Sequence, residues 1–365
     1  MLLPPTTPPA DTPPPGGDQD FAEILHGDAP TPRVRVEQAR ARLTFYDQYG
    51  RGYQSKAGPP AGPGSERLWV IQPAASLSLR QRDERFSHDV TMLFDIVSAA
   101  SPDALDVVSS ASRYNEAGTL DVTSSVEPNA RDEWGLRYGV HLEEHWRTGF
   151  GGLSYSADVN DKNTNIATSF QVVYDSYDDR NPRGQYQGQA YRLSLNPNVS
   201  ITHILSRTTL ASLSYGLTHQ QGTLENGWNS IYISDAQTTA CADDPAQKRE
   251  YDCDNRGREK LPHRRLRHAI SGQLNQHIPR TRSTFKIDYR HYRDDFGLRA
   301  HTVRAQAYQW LGRRLYLRFD YRLHHQTGVD FSARSITQDA LEQSFATADS
   351  DLQQFFAHQV GAKAV

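Results

Sequence analysis

The stretch RLYLRFDYRL, residues 314–323, decides the fold class of this chain. Its apolar or aromatic positions, Leu315, Leu317, Phe319, Tyr321 and Leu323, are separated by Tyr316, Arg318, Asp320 and Arg322. Because successive side chains of a β-strand point to opposite faces, this segment predicts a strand with one apolar face and one charged face.

The same two-residue period recurs along most of the chain. Runs such as HDVTMLFDIV (88–97), EWGLRYGVHLEEHW (133–146) and NIATSFQVVY (165–174) place most of their large apolar side chains on one parity. We predict roughly 12–16 strands from such runs. No segment has the spacing of a long amphipathic helix, and residues 336–356 predict a loop with some helical turn. Strands without intervening helices exclude a parallel βαβ architecture.

The composition favours a membrane barrel over a soluble sandwich. Only 37% of the 365 residues are hydrophobic and the mean hydropathy is -0.71, yet the chain has 18 Tyr, 13 Phe and 5 Trp. Disordered chains lack aromatic residues, whereas a transmembrane β-barrel is apolar only on the outward half of each strand. The net charge of -3 gives no basic excess for nucleic acid.

We therefore predict an all-β fold, a transmembrane antiparallel up-and-down β-barrel in the outer membrane of a Gram-negative bacterium. Residues 1–32 are a Pro/Gly-rich disordered lead, and residues 33–365 form the barrel. The lead has no signal-peptide pattern, so we expect the export signal upstream of Met1. The last run, QFFAHQVGAKAV, ends within a strand pattern, so we expect one or more closing strands beyond Val365.

Charged residues of the C-terminal third share the polar parity. They are Arg267, Lys286, Asp288, Arg290, Arg304, Arg318, Asp320 and Arg322. We predict that they face the lumen, either as the wall of an anion-selective or plugged pore or as a structural salt network. Their mixed signs favour the network, because opposite charges cancel most of a selective field. Aromatic residues near strand ends, Trp146, Tyr174, Tyr292 and Trp310, are expected to form interfacial girdles.

Other constellations predict little chemistry. Cys241 and Cys253 flank one polar segment, and we expect them to form a disulfide after export. The segments DVNDKNTN and DCDNRG depart from the EF-hand pattern, and Asp175, Asp178 and Asp179 suggest at most a weak surface calcium site. We expect no resident metal or cofactor.

A catalytic site receives equally little support. His301, Asp294, Asp295, His324 and His325 are candidates for a rim site, as in outer-membrane hydrolases. No Gly-x-Ser-x-Gly elbow or other nucleophile pattern accompanies them. We predict a protein that is not an enzyme.

The C-terminal third resembles a bacterial family of predicted outer-membrane barrels of unknown function. The resemblance rests on YRHYRDDFG (289–297) followed by His301 and Thr302, on DYRLHHQTGVDF (320–331), and on MLFDIVSAASPDALDVVSSAS (92–112). The matching motif residues are Tyr289, Arg290, Tyr292, Arg293, Asp294, Gly297, His301 and Thr302. Ala300 stands where the family has serine, and His324 and His325 stand where it has tyrosines.

The resemblance implies a setting shared with a small lipoprotein and a flavin-attaching maturation protein, which are often encoded beside members of this family. Our prediction is a pore, an export channel or an envelope scaffold, in contact with outer-membrane lipid and with a periplasmic or lipoprotein partner. The alternatives are a soluble periplasmic β-rich binding protein and the barrel component of a redox-linked or polysaccharide-export system.

Overall fold

A computed structural model describes residues 34–48, 68–81, 85–98, 115–180, 186–225, 230–235, 256–312 and 315–364. The predicted lead, residues 1–32, and both cysteines, Cys241 and Cys253, lie outside these ranges. Among the described residues, no helix is long and apolar enough to cross a membrane.

The strands are β1 (Val34–Gln48), β2 (Leu68–Gln81), β3 (Phe86–Val97), β4 (Asn115–Val126), β5 (Asp132–Glu143), β6 (Trp146–Val159), β7 (Thr164–Arg180), β8 (Tyr186–Ser206), β9 (Thr209–Gly222), β10 (Ser230–Ile233), β11 (Arg256–Arg258), β12 (Arg264–Ile278), β13 (Ser283–Asp294), β14 (Arg299–Trp310), β15 (Tyr316–Gln326), β16 (Ser335–Ile336) and β17 (Phe355–Ala364). One short helix, α1 (Gln338–Gln343), and a 3-10 turn (Ser350–Leu352) precede β17.

Among the described residues, one sheet of 14 strands contains every strand except β10, β11 and β16, and its strand order follows the sequence. Each neighbouring pair is antiparallel, from β1 with β2 to β15 with β17. The predicted all-β, antiparallel, up-and-down class is therefore confirmed. In the described part of the chain, β1 pairs only with β2 and β17 only with β15, so the sheet is not closed between them.

The two ends of the sheet differ. At the turn end, short connections such as 127–131, 160–163 and 279–282 join the strands. The first calcium-loop candidate, DVNDKNTN, forms the β6–β7 turn there, with Asn160, Asp161 and Lys162 at φ of 54°, 52° and 65°. The opposite end carries the longer connections, including 223–263 and 327–354, and we term it the cap end.

The alternation of apolar and polar residues along each strand gives the sheet two chemically distinct faces. We term the face that carries Arg318, Asp320 and Arg322 the inner face, because most buried strand residues, such as Asp320 at 8% exposure, share it. The outer face carries the large apolar side chains, and many of them are exposed, including Leu153 at 62% and Phe319 at 54%. Cross-strand pairing keeps each parity on one face across the whole sheet.

A small packed unit, which we term the cap, lies at the cap end. It consists of β10, β11, residues 259–263, and residues 327–354 with β16 and α1. Its two apolar clusters are Leu261, Phe296, Leu298, Ala300, Val329 and Leu352, and Ile231, Ile233, Leu341 and Ala346. The first cluster includes the β13–β14 turn, so the cap packs directly on the sheet.

Candidate functional site

The inner face is mainly uncharged on β7, β8, β9 and β12 away from the cap end, and it is charged on β13, β14 and β15, a region that we term the charged half. On β7, β8, β9 and β12 it is covered by hydroxyl and amide side chains, among them Ser169, Asn198, Ser200, Thr202, Ser212, Ser214, Ser271 and Gln273. On β13, β14 and β15 it carries Lys286, Asp288, Arg290, Arg304, Arg318, Asp320 and Arg322. The remaining predicted residue, Arg267, is on the same face of β12.

One ion pair forms within this charged half. Arg304 Nε and Nη2 each lie 2.7 Å from Asp320 Oδ2, and Gln306 Nε2 donates to the same oxygen at 2.5 Å. Lys286 Nζ lies 5.2 Å from the centre of the Tyr308 ring. Within the described residues, Lys286, Arg318 and Arg322 form no ion pair. Cations outnumber carboxylates on these strands, so the wall remains positive rather than neutralised.

A second polar cluster centres on Asp175, whose side chain is 1% exposed. Arg192 Nε donates to Asp175 Oδ2 at 2.9 Å, and Thr148 Oγ1 donates to Asp175 Oδ1 at 2.7 Å. The Arg192 guanidinium lies 5.0 Å from the Trp146 ring centre, and Trp146 stacks on Tyr177 at 4.3 Å. Asp175 therefore joins β6, β7 and β8 on the inner face.

A third cluster centres on Asp294, the last residue of β13, whose side chain is fully buried. Arg265 Nε donates to Asp294 Oδ2 at 2.9 Å, and the Tyr292 hydroxyl donates to the same oxygen at 2.8 Å. Asp294 Oδ1 accepts from the backbone N–H groups of Phe296 and Leu298 at 3.1 and 3.0 Å. One carboxylate thus shapes the β13–β14 turn and fixes it to β12.

The YRHYRDDFG residues divide between the two faces. Tyr292, Asp294 and Arg290 belong to the inner parity, whereas Tyr289 and Arg293 belong to the outer one. The Tyr289 hydroxyl lies 2.7 Å from His301 Nδ1, and Thr302 Oγ1 lies 2.8 Å from His324 Nδ1. These contacts join β13 to β14 and β14 to β15, so the motif residues hold neighbouring strands in register.

Gly297 occupies the β13–β14 turn with φ of +88°, where an added Cβ would lie 2.2 Å from Asp330 Oδ1. We expect Gly297→Ala to destabilise the protein by about 1–3 kcal/mol, because an L residue is strained at this φ. Urea unfolding of detergent-solubilised protein measures the change. Gly272→Ala is the matched control, since its Cβ would meet nothing within 4 Å. Equal midpoints for the two variants would contradict the assignment.

The cap contacts inner-face residues at two distant strands. Arg258 Nη1 donates to Asp179 Oδ2 on β7 at 2.6 Å. Gln326 Nε2 on β15 donates to the carbonyl oxygens of Asp351 and Gln353 at 2.8 and 2.7 Å. Because Asp179 and Gln326 both lie on the inner face, the cap covers the inner face at the cap end of the sheet.

Glu259 joins two segments of the cap. Its carboxylate accepts from the N–H of Ala348 at 2.7 Å. Burial raises the pKa of the Glu259 carboxyl above its ordinary value, and the Ala348 hydrogen bond opposes that rise. Because the folded-state pKa is raised, the contribution of Glu259 to cap stability decreases as pH rises through that pKa.

Three of the four aromatic residues expected in girdles lie on the inner face instead. Trp146, Tyr292 and Trp310 share the inner parity, and only Tyr174 is on the outer face. The error arose because proximity to a strand end was considered without parity. The outer face has its own aromatic residues between the middle of the strands and the cap end: Tyr174, Tyr191, Tyr215, Tyr289 and Tyr321. Trp134 and Tyr155, with ring centres 4.6 Å apart, lie near the turn end.

The three aspartates suggested for calcium do not converge. Asp175 binds Arg192, Asp178 Oδ2 lies 2.9 Å from His145 Nδ1, and Asp179 binds Arg258. Asp178 also has the opposite parity to the other two. Within the described ranges, no group of three or more His, Cys, Asp or Glu residues has an arrangement suited to a metal ion.

The candidate catalytic residues divide between the two faces of the sheet. His324 is on the inner face, whereas His301 and His325 are on the outer face. The Asp294 carboxylate is occupied by Arg265, and Asp295 Oδ1 accepts from the Leu266 N–H at 3.0 Å. Asp294, Asp295 and His301 line one cavity at the cap end, but the five residues together do not form one site.

The fold and this inner face define a class: a meander of 14 antiparallel strands with an apolar outer face, a polar inner face and a loop-built cap. The chain belongs to a family described as a protein of unknown function, DUF3570, whose model matches residues 119–365. The matched region contains all three polar clusters and the cap. No curated protein sequence matches the chain.

Solved outer-membrane proteins have distantly similar folds. A mutant of the ferric enterobactin receptor of Pseudomonas aeruginosa matches with a TM-score of 0.46 at 8% identity, over 80% of this chain and 45% of the receptor. A siderophore receptor of Acinetobacter baumannii matches with a TM-score of 0.44 at 8% identity, over 79% of this chain and 43% of that receptor. The outer membrane protein OmpT of Vibrio cholerae gives 0.41 at 8% identity, over 92% of this chain and 100% of that protein. The chain thus spans less than half the length of the two receptors.

Proposed function

We propose that this chain is an integral outer-membrane β-barrel protein that conducts small anionic solutes and is not an enzyme. The observation that supports it best is the unequal chemistry of the two faces of one sheet. The outer face exposes large apolar side chains on most of its strands. The inner face is polar, and within the described residues it carries cations that form no ion pair.

The outer face argues against a soluble protein. Exposed side chains such as Leu136, Leu213, Ile287 and Phe319 belong to one apolar surface that extends across the sheet. A soluble monomer rarely leaves so large an apolar patch in water, whereas lipid covers it at no cost. Short turns at one end and longer connections at the other are also typical of outer-membrane barrels. The soluble periplasmic alternative predicts purification without detergent.

The charged half of the inner face supports anion preference. Arg318 and Arg322 flank Asp320 on β15, and the Asp320 charge is already bound by Arg304. Lys286 and Arg290 add positive charge on β13. Rings or walls of unpaired Arg and Lys favour anions in a water-filled pore. The inner face of β7, β8 and β9 offers the hydrogen bonds of serine and asparagine, and its charged residues, such as Asp175 and Arg192, lie toward the cap end.

The histidine contacts support a structural rather than a catalytic role. Thr302 with His324 resembles a nucleophile and its base, at 2.8 Å. However, the same cross-strand pair recurs for Thr119 with His141 and for Thr164 with His203, each also at 2.8 Å. A contact repeated at separate places in the sheet is explained by strand pairing.

The proposal predicts how charge reversal changes ion selectivity. In planar bilayers with a KCl gradient, the wild-type protein should conduct with a reversal potential that indicates anion preference. Arg318→Glu combined with Arg322→Glu should shift that potential toward cation preference, because the wall becomes negative. Lys162→Gln, in the β6–β7 turn, is the control and should leave the potential unchanged. Equal reversal potentials for all three proteins would refute anion selectivity by this wall.

A further inference from the structure

A cavity of about 530 Å³ opens on the outer face of β12, β13 and β14 at the cap end. Its lining includes His268, His291, Arg293, Arg299 and His301. These side chains share the apolar, outward parity, so the cavity is separate from the inner-face wall.

Side-chain polarity changes in order along the strands that build this cavity. From the turn end, the outward positions of β13 are Phe285, Ile287, Tyr289, His291 and Arg293. On β14 the corresponding outward residues progress from Ala307 and Ala305 through Val303 to His301 and Arg299. Along both strands, apolar side chains are followed by aromatic or imidazole groups and then by guanidinium groups. This order matches a membrane, in which lipid tails are followed by the interface and then by the headgroups.

The imidazoles of the cavity are held in position by the sheet. Tyr215 and Tyr289 hydroxyls lie 2.8 and 2.7 Å from Nδ1 of His268 and His301, and these contacts fix both rings. His291 Nδ1 is buried, and no described residue forms a hydrogen bond with it. The His291 ring centre lies 4.8 Å from that of His301, so an unsatisfied nitrogen stands beside a fixed ring.

The two arginines of the cavity retain free binding capacity. Neither Arg293 nor Arg299 forms an ion pair with any residue that the structure describes. Asp294 and Asp295 also line the cavity. Asp294 is bound by Arg265, and Asp295 Oδ1 accepts from the Leu266 N–H. Asp295 keeps its negative charge, so the two guanidinium groups of Arg293 and Arg299 leave the cavity with a net positive charge and with free donors.

We propose that this cavity binds the phosphate-bearing headgroup of an outer-leaflet glycolipid, and this inference rests on the membrane placement proposed above. Arginine forks bind phosphate oxygens in bidentate geometry, and the imidazoles supply further donors. A lipid is the expected source of the phosphate, because the cavity continues directly into the apolar band of the same face. An arginine on that face is tolerated near the membrane interface and costly at the midplane, which places this level at the headgroups.

The feature is local rather than a ring around the sheet. At the cap end of β7, on the same outer face, Asp178 is paired with His145 and Arg180. Arg147 on β6 is an outward arginine outside the cavity. It supplies a matched control of equal charge and similar level.

The test measures binding of fluorescent diphosphoryl lipid A to the purified full chain in phosphatidylcholine nanodiscs. Arg293→Gln combined with Arg299→Gln should weaken binding about tenfold or more, which corresponds to about 1.4 kcal/mol per factor of ten. Arg147→Gln should bind as the wild type does. A dephosphorylated lipid A analogue should bind wild type and double variant equally and weakly.

Several outcomes would overturn this assignment. If the double variant and Arg147→Gln bound lipid A with equal affinity, Arg293 and Arg299 would not be part of the binding site. If the wild-type protein bound the dephosphorylated analogue as tightly as diphosphoryl lipid A, the phosphate would play no part in binding. Displacement of lipid A by millimolar inorganic phosphate would indicate a free-phosphate site. Flotation with vesicles is measured in parallel: failure to insert would refute the membrane proposal itself, whereas insertion without phosphate preference refutes only the lipid site.

Discussion

Phe319→Arg should abolish assembly of the protein in membranes. Phe319 is the fourth residue of β15, within the apolar band of the outer face, and is 54% exposed. An arginine on the lipid face costs about 2–4 kcal/mol near the bilayer midplane, because lipid offers it no water and no counter-charge. The readout is the heat-modifiable band of folded barrel on gels after refolding into vesicles.

The neighbouring position provides the control. Arg318 lies on the inner face, in contact with the polar interior, so Arg318→Gln should assemble as the wild type does. Single cysteines at the two positions give a second readout: a lipid-soluble maleimide should label position 319, and a water-soluble one position 318. Normal assembly of Phe319→Arg with failure of Arg318→Gln would reverse the faces and refute the membrane proposal.

Asp294→Ala should be the most destabilising change on the inner face. It leaves the Arg265 side chain, 9% exposed, without its counter-charge and frees two backbone N–H groups of the β13–β14 turn. Removing one partner of a buried ion pair costs about 3–5 kcal/mol. Urea unfolding followed by tryptophan fluorescence in detergent should show the lower midpoint.

Two further variants test whether the loss of stability comes from the Arg265–Asp294 ion pair or from any substitution on the inner face. Asp288→Ala removes an inner-face carboxylate that forms no ion pair in the described structure, and it should change stability by less than about 0.5 kcal/mol. Arg265→Met combined with Asp294→Ala should recover part of the loss, since no buried charge remains unpaired. If Asp288→Ala were as damaging as Asp294→Ala, the loss would not come from the Arg265–Asp294 pair.

The faces of the strands could be predicted from the sequence because parity is a local property. Leu317 and Arg318 differ by one position, and that difference alone assigns them to opposite faces. Strand number and antiparallel order followed from the same runs. The same parity argument predicts which positions of β13–β15 share one face.

The polar clusters could not be predicted, since they depend on cross-strand register. Asp175 meets Arg192 only because β7 and β8 pair in one register, and a single sequence does not fix that register. Trp146 was misassigned because its distance from the strand end was considered without its parity. The sequence did contain the corrective signal, because Trp146 has the opposite parity to Leu153 and Tyr155, the apolar positions of the same strand.

The cap was missed for a different reason. Its strands are two to four residues long, and they pair across long intervals of the chain. Segments this short have no measurable period, so only the helical turn in residues 336–356 was expected. The packing of Leu261 and Val329 against Phe296, which unites these segments, is entirely tertiary.

The neighbour-to-neighbour order of the sheet has a consequence for biogenesis. Each strand of the large sheet pairs with the strands next to it in the chain order of that sheet, so assembly can proceed hairpin by hairpin with short loop closures. The cap instead requires contacts such as Gln338 N–H to Asp235 Oδ1, between residues 103 positions apart. Bringing two residues so far apart in sequence together has a high entropic cost until the intervening strands have paired, because their pairing shortens the flexible loop that remains to be closed. The cap should therefore consolidate last, and its protease resistance would mark the molecules whose maturation is complete.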